Sequence, residues 1–177
     1  WSLSGWFSIT LYKIHEILIN KNYVSLILIL SITFLSSFVA GLVTQLNIDP
    51  WYQSLNKLSF SPPNWIFGPV WTVLYAFMSI AIWIVYEKSK KNDLIFSKKI
   101  LRYYFFHLGV SLSWSFIFFY FHLIFLSFIN ILILIIAIIF LMNLYLPRSK
   151  ISFALMVPYI IWVIFAAILN FGLYLVN

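Results

Sequence analysis

The chain has 177 residues, of which 64% are hydrophobic and 8% charged, and its net charge is +7. Soluble domains carry about 25% charged residues, so an ordinary soluble domain is excluded, and long apolar runs between short polar segments indicate a membrane protein. With no Cys, disulfides and thiolate metal sites are excluded too, while 8 Trp and 21% aromatic residues are high even for a membrane protein.

Residues 1–22 mix Lys13, His15, Glu16 and Lys21 with apolar side chains, and read as a tail or an interfacial segment. The chain begins at Trp1 rather than Met, so a truncated or omitted start is expected. Heavy use of Ile, Phe, Lys and Asn points to an A- and T-rich genome and a bacterial source. Span one covers about 24–46 and holds no charge. A polar connector over 47–60 follows, with Asp49, Pro50, Trp51, Tyr52 and Lys57.

Span two is the most distinctive. Ser61 is a good N-cap, and Pro62 and Pro63 suit a first turn, whose N–H groups have no intrahelical partner. The spacing predicts a helix from about Pro63 to Tyr86, bent at Pro69, whose ring removes the bond to the Trp65 carbonyl. Phe67, Trp71, Tyr75 and Met78 fall on one face of it. Such a wall of rings can line a cavity for a flat apolar ligand, or it can be ordinary aromatic packing in a helix bundle. Beyond the basic segment 87–99, span three covers about 100–121, a short turn falls near His122–Ile124, and span four covers about 125–146. Span five covers about 153–176, after a second basic segment at 147–152.

A helix satisfies its own backbone in lipid, and these runs lack the alternation of barrel strands. The fold class is therefore an all-α membrane protein, a five-transmembrane-helix bundle over residues 23–177. With five spans, Lys13, Lys21, Lys88, Lys90, Lys91, Lys98, Lys99, Arg102, Arg148 and Lys150 share one side, and only Lys57 lies on the other. The positive-inside rule then puts loops 87–99 and 147–152 in the cytoplasm and the C-terminus outside. That placement explains the basic balance through anionic lipid headgroups and without nucleic acid.

Chemistry that needs titratable groups has little to work with. Glu16, Asp49, Glu87 and Asp93 lie outside the spans or at their ends, and His107 is the one imidazole well inside a span. Ion-coupled transport, acid–base hydrolysis and a metal cluster are poor fits to that inventory. His107 reads as a packed residue and His122 as a surface one. Asn130 and Asn143 read as bonds to neighbouring helices. Gly109 and Ser113 form a small-xxx-small pair, a signal for close helix contact. Trp162, Ala166 and Asn170 share a face with Phe165 beside them, a candidate pocket wall. His107, Ser111, Trp114 and Phe118 share another.

These residues resemble the TspO/MBR family, the translocator or tryptophan-rich sensory proteins. The run Trp51, Tyr52, Leu55, Lys57, Pro62, Pro63, Trp65, Phe67, Gly68, Pro69, Val70, Trp71, Leu74, Tyr75 matches its first motif. Two later elements match Leu112 to Phe116, and Pro158, Tyr159, Trp162, Phe165, Leu169, Asn170. The chain departs from the family at Leu58 for Pro, Phe60 for Trp, Ser113 for Asn, Phe116 for Trp and Asn130 for a common Asp. Bulky Tyr104 and Leu108 replace the small residues of the family's dimer motif, and no Lys or Arg follows Tyr174 as the sterol pattern requires.

The resemblance implies a five-helix bundle, commonly a homodimer, that binds porphyrins such as protoporphyrin IX, or sterol-like and benzodiazepine-type molecules, between its helices. It implies a receptor or sensor, or alternatively a light- and oxygen-dependent porphyrin-degrading enzyme or a passive carrier. The implied ligand-binding residues are Trp65, Phe67, Trp71, Tyr75, Trp114, Trp162, Phe165, Ala166 and Asn170. Trp71 and Trp162 would be the catalytic pair if the protein is an enzyme. No resident cofactor and no metal is required, the porphyrin being ligand or substrate.

Overall fold

The computed structural model describes residues 23–177; the expected N-terminal segment 1–22 lies outside the described residues. These residues are all-helical. Helix α1 is Tyr23–Asn47, α2 is the single turn Trp51–Ser54, α3 is Phe67–Lys90, α4 is Leu94–Ser115, α5 is Ile124–Tyr145 and α6 is Lys150–Val176. A 3-10 turn, Asn64–Ile66, leads into α3, and a π-helical turn, Phe116–Tyr120, extends α4.

The start of α3 corrects the expected one. Pro63 is extended, with ψ 141°, and neither Ser61 nor Pro62 is helical. The regular helix begins at Phe67, so Pro69 stands in its first turn. Its missing N–H would be unpaired there in any case, and the expected bend at Pro69 has no cause. The interior proline is instead Pro158 in α6, which cannot bond to the Ala154 carbonyl one turn back.

Segment Asn64–Lys90, α1, α5 and α6 are long and apolar enough to cross a membrane. The fifth expected span corresponds to α4, which carries Lys98, Lys99 and Arg102 in its first half and does not meet that standard along its length. The turn after it has neither Gly nor Pro. His122 closes the helix instead, at φ 58°, and the Leu123 N–H donates to the Ile117 carbonyl at 3.0 Å. A residue in the left-handed region that reverses the chain is the usual C-terminal stop, here taken by a non-glycine.

Helices α3, α6, α5 and α4 pack in that order around the interior and close on one another, and α1 lies against α3 and α4. Ala81, Ile82, Trp83, Ile84 and Val85 are all buried, so α3 is enclosed on every side in this stretch. Helix α1 buries Ile29, Thr33 and Ala40 and turns Ile27, Leu28, Leu35, Phe38 and Leu46 outward. An apolar outer surface is what a lipid solvent calls for.

The two ends of the bundle differ. At one, the α3–α4 and α5–α6 turns meet: Arg148 lies 3.8 Å from Asp93 and 3.5 Å from the Phe96 ring centre. Asp93 also caps α4 by accepting from the Phe96 N–H at 2.9 Å, and Ser149 caps α6 by accepting from the Ser152 N–H at 3.2 Å. At the other end, the strap between α1 and α3 crosses the bundle. His122 is exposed, as expected, and Trp51 stacks on it at 4.2 Å, so this surface residue is also a docking point for the strap. Asn56 and Asn177 exchange amide hydrogen bonds at 2.9 and 3.1 Å. Leu58 rests on Gly172, where a Cβ would overlap its methyl groups.

Candidate functional site: an aromatic seam between α3 and α6

Helices α3 and α6 run antiparallel where their rings meet. One helical turn separates Phe67 from Trp71, and nearly one separates Tyr159 from Trp162. The geometry therefore pairs Phe67 with Trp162 edge to face at 5.8 Å, and Trp71 with Tyr159 edge to face at 6.1 Å. Trp71 also stacks on Tyr75 at 5.3 Å, and Trp162 lies 5.6 Å from Phe165. Each indole thus contacts a ring on the opposite helix. Phe67, Trp71, Trp162, Phe165 and Ala166 are half-buried, whereas Tyr75 and Tyr159 are buried. The seam has a sealed floor of phenols and an apolar aromatic flank that remains accessible. The Trp162 Nε1–H is shielded and has no acceptor. A shielded donor without a partner is costly, and a ligand carbonyl or carboxylate could satisfy it.

Trp65 is not brought to this seam. It precedes the regular helix and is 73% exposed. Asn170 and Trp114 form a separate polar knot where α4, α5 and α6 meet. Trp114 Nε1–H donates to Asn170 Oδ1 at 3.0 Å. The Asn170 amide N–H donates to the Ile124 carbonyl at 2.9 Å. The Ser127 hydroxyl lies 2.9 Å from Asn170 Oδ1 and 2.7 Å from the Ile124 carbonyl, so its single proton is shared. With Asn170 only 2% exposed and its amide engaged on both sides, it holds three helices together before any ligand arrives. Trp114 faces Phe118 at 5.2 Å, stacked, and so joins the cap made by Trp51, Tyr52 and Phe119.

Two further expectations divide. Asn130 donates to Ser113 Oγ at 2.8 Å, bridging α5 to α4 as expected of an asparagine inside a bundle, while Gly109 is exposed. Asn143 makes no such bridge; it faces outward. His107 is buried and its Nε2 lies 2.9 Å from the Tyr159 hydroxyl, beneath Trp71. Tyr104 is likewise buried, 2.7 Å from Thr33 Oγ1 and 3.4 Å from Ser79 Oγ. Tyr159 stands in the Pro158–Asn170 motif but is not among the ligand-binding residues that the resemblance implies. Its spacing of three from Trp162 was the available signal. Ser127 and the Ile124 carbonyl had no signal, since a backbone acceptor exposed at a helix start is invisible in side-chain patterns.

An all-helical integral membrane protein with an indole-lined seam between two of its helices is the class these features define. A profile of the TspO/MBR family matches residues 27–175. A tryptophan-rich protein TspO of Archaeoglobus fulgidus is 35% identical over 159 residues, covering 90% of this chain and 98% of the relative. A tryptophan-rich protein TspO of Chlorobaculum tepidum is 31% identical over 158 residues, covering 89% and 99%. The human translocator protein is 28% identical over 124 residues, 68% of this chain and 71% of that protein. The chain belongs to the TspO/MBR family.

Proposed function

We propose that the protein is a membrane receptor or sensor for a flat apolar ligand of the porphyrin class, held against the α3–α6 seam. The observation that carries this reading is the pair of half-buried indoles, Trp71 and Trp162, on one seam, with the Trp162 N–H lacking an acceptor. A planar tetrapyrrole offers π faces for the rings and carboxylates for that donor. Burial of apolar area supplies affinity, and few polar contacts are needed to set orientation.

All five long helices cross the membrane in this reading, α4 with its basic first half reaching the headgroups by snorkelling. The basic turns face the cytoplasm and the strap and C-terminus face the opposite side, as expected for a protein of bacterial type. A homodimer is compatible with the broad apolar surface of α1, and no nucleic acid is involved. The alternative of light-dependent porphyrin degradation uses the same rings, because an excited tetrapyrrole needs an oxidisable indole in contact rather than a proton relay to substrate.

Titration with protoporphyrin IX in the dark should quench Trp fluorescence saturably. Each ring contact is worth about 0.5–1.5 kcal/mol beyond its area. Replacing both indoles, Trp71→Phe with Trp162→Phe, should therefore weaken binding by about tenfold. Identical quenching curves for wild type and the double variant would sink this reading.

A further inference from the structure

We propose that Tyr159 and His107 form a proton-coupled hole acceptor for Trp71. The observation is a three-member line inside the bundle. The Trp71 indole meets the Tyr159 ring edge to face at 6.1 Å, and the Tyr159 hydroxyl lies 2.9 Å from His107 Nε2. Tyr159 and His107 are both 0% exposed, while Trp71 stands at the accessible flank. A one-electron oxidant arriving at the flank meets the indole first. The phenol behind it is sealed from water, and the imidazole is its one basic partner.

Tyrosine gives up an electron readily only if its proton leaves with it, so a base within hydrogen-bond reach decides which phenol can act. Tyr75 stacks on the same indole at 5.3 Å, but the His107 imidazole bonds to the Tyr159 hydroxyl and not to that of Tyr75. Tyr104 is hydrogen-bonded to Thr33 and Ser79, whose hydroxyls are no bases. Among the buried tyrosines of the described residues, Tyr159 alone has an imidazole on its oxygen.

Two transfers conserve charge and protons. An oxidant of the class of an excited tetrapyrrole, or a small inorganic radical, removes one electron from Trp71 and leaves an indole radical cation. Tyr159 then gives one electron to Trp71. Its O–H bond breaks, and the proton forms an N–H bond at His107 Nε2. The products are neutral Trp71, a neutral phenoxyl radical at Tyr159 and an imidazolium at His107. The positive charge has moved from the indole at the flank to the buried imidazole, and the total charge is unchanged. A one-electron donor of the ascorbate class reduces the Tyr159 phenoxyl, which takes its proton back from His107 Nε2, and so restores the pair. The consequence is an indole that survives repeated oxidation at the ligand face. That benefit rests on the ligand-binding reading above. The chemistry does not, and it can be tested with no porphyrin present.

The purified full chain in detergent is oxidised with azide radicals made by pulse radiolysis, which attack indoles in preference to phenols. Indole and phenoxyl radicals are then followed by transient absorption and by electron paramagnetic resonance. In the wild type, indole radical should decay as phenoxyl radical grows, more slowly in deuterated water. Tyr159→Phe should lose the phenoxyl signal and prolong the indole radical. His107→Gln should retain Tyr159 yet slow the transfer and reduce its deuterium effect. Tyr75→Phe should retain the signal. Absence of phenoxyl in the wild type, an undiminished yield in Tyr159→Phe, or loss in Tyr75→Phe alone would overturn the proposal. The wild-type deuterium comparison needs no variant, so a misfolded substitution cannot mask the answer; an indole decay that deuterium leaves unchanged also overturns it. Failure of protoporphyrin binding, by contrast, leaves these signals untouched and falls on the functional reading alone.

Discussion

Asn170 shows how one side chain can be taken for two different things. On a helical wheel it stands with Trp162 and Ala166 on one face, which suggests a polar contact at a pocket wall. In the fold its amide accepts from Trp114 and donates to the Ile124 carbonyl, with Ser127 beside it. The first of these groups lies in α4 and the others at the start of α5, far from Asn170 in sequence. Removing the amide strands several buried groups at once. Asn170→Ala should lower stability in detergent by about 1–3 kcal/mol, read from thermal or denaturant unfolding. Hydrogen bonds inside membranes average only about 0.6 kcal/mol in measured cases, so a loss below that average would show that water or a rearranged Ser127 takes over. Tyr104→Phe, which removes the contacts to Thr33 and Ser79, should cost about 1 kcal/mol by the same measurement. A Tyr104→Phe variant as stable as the wild type would show that this buried hydroxyl network carries no net energy.

The strap is the element whose behaviour follows least from its own composition. Residues 47–60 read as a polar connector, yet their rings and amides are spent on contacts with distant helices. Trp51 meets His122 and Phe118, Asn56 meets Asn177, and Leu58 sits on Gly172. Leu58 occupies a position where the resembled motif has Pro, and its longer side chain is accommodated by the absence of a Cβ at residue 172. Gly172→Ala should push Leu58 aside at a cost of about 1 kcal/mol, because overpacking against a flexible methyl end is relieved by a small shift. Limited proteolysis within the strap should then accelerate, and Leu58→Ala on that background should restore the wild-type rate. Equal cleavage of all three forms would mean that the seat does not hold the strap. The corrected start of α3 belongs to the same scale. Two adjacent prolines and a serine are compatible with a helix start, but an extended Pro63 followed by a 3-10 turn satisfies them equally well.

At the scale of the whole molecule, the joining of the basic turns is the feature that sidedness rests on. Arg148 on the α5–α6 turn touches Asp93 and Phe96 at the start of α4, so the two basic segments share one end. The strap and the α4–α5 turn share the other. The chain has no Cys, which makes labelling clean. Lys91→Cys, on the α3–α4 turn, should react with a membrane-impermeant maleimide only after inverted vesicles are prepared. Gln53→Cys, on the exposed side of the strap, should react in intact cells. The opposite labelling pattern would reverse the orientation, and labelling of both from one side would end the five-span reading.

The alternation of long apolar runs with short polar ones was enough to establish a helical membrane protein, because lipid leaves the backbone no other partner than its own helix. The tryptophan and proline motifs were enough to indicate the family, and helical periodicity put Phe67, Trp71 and Tyr75 on one face and Trp162 with Phe165 beside it on another, while only the resemblance joined the two faces into one set. Which faces confront each other is a property of packing. The antiparallel fit of α3 on α6 set Tyr159 under Trp71, and the packing of α4 and α5 against α6 set His107 under Tyr159 and turned Asn170 into a clamp. Contacts of that kind join residues many turns apart, and a periodicity that repeats every few residues carries no information about its partner across the bundle.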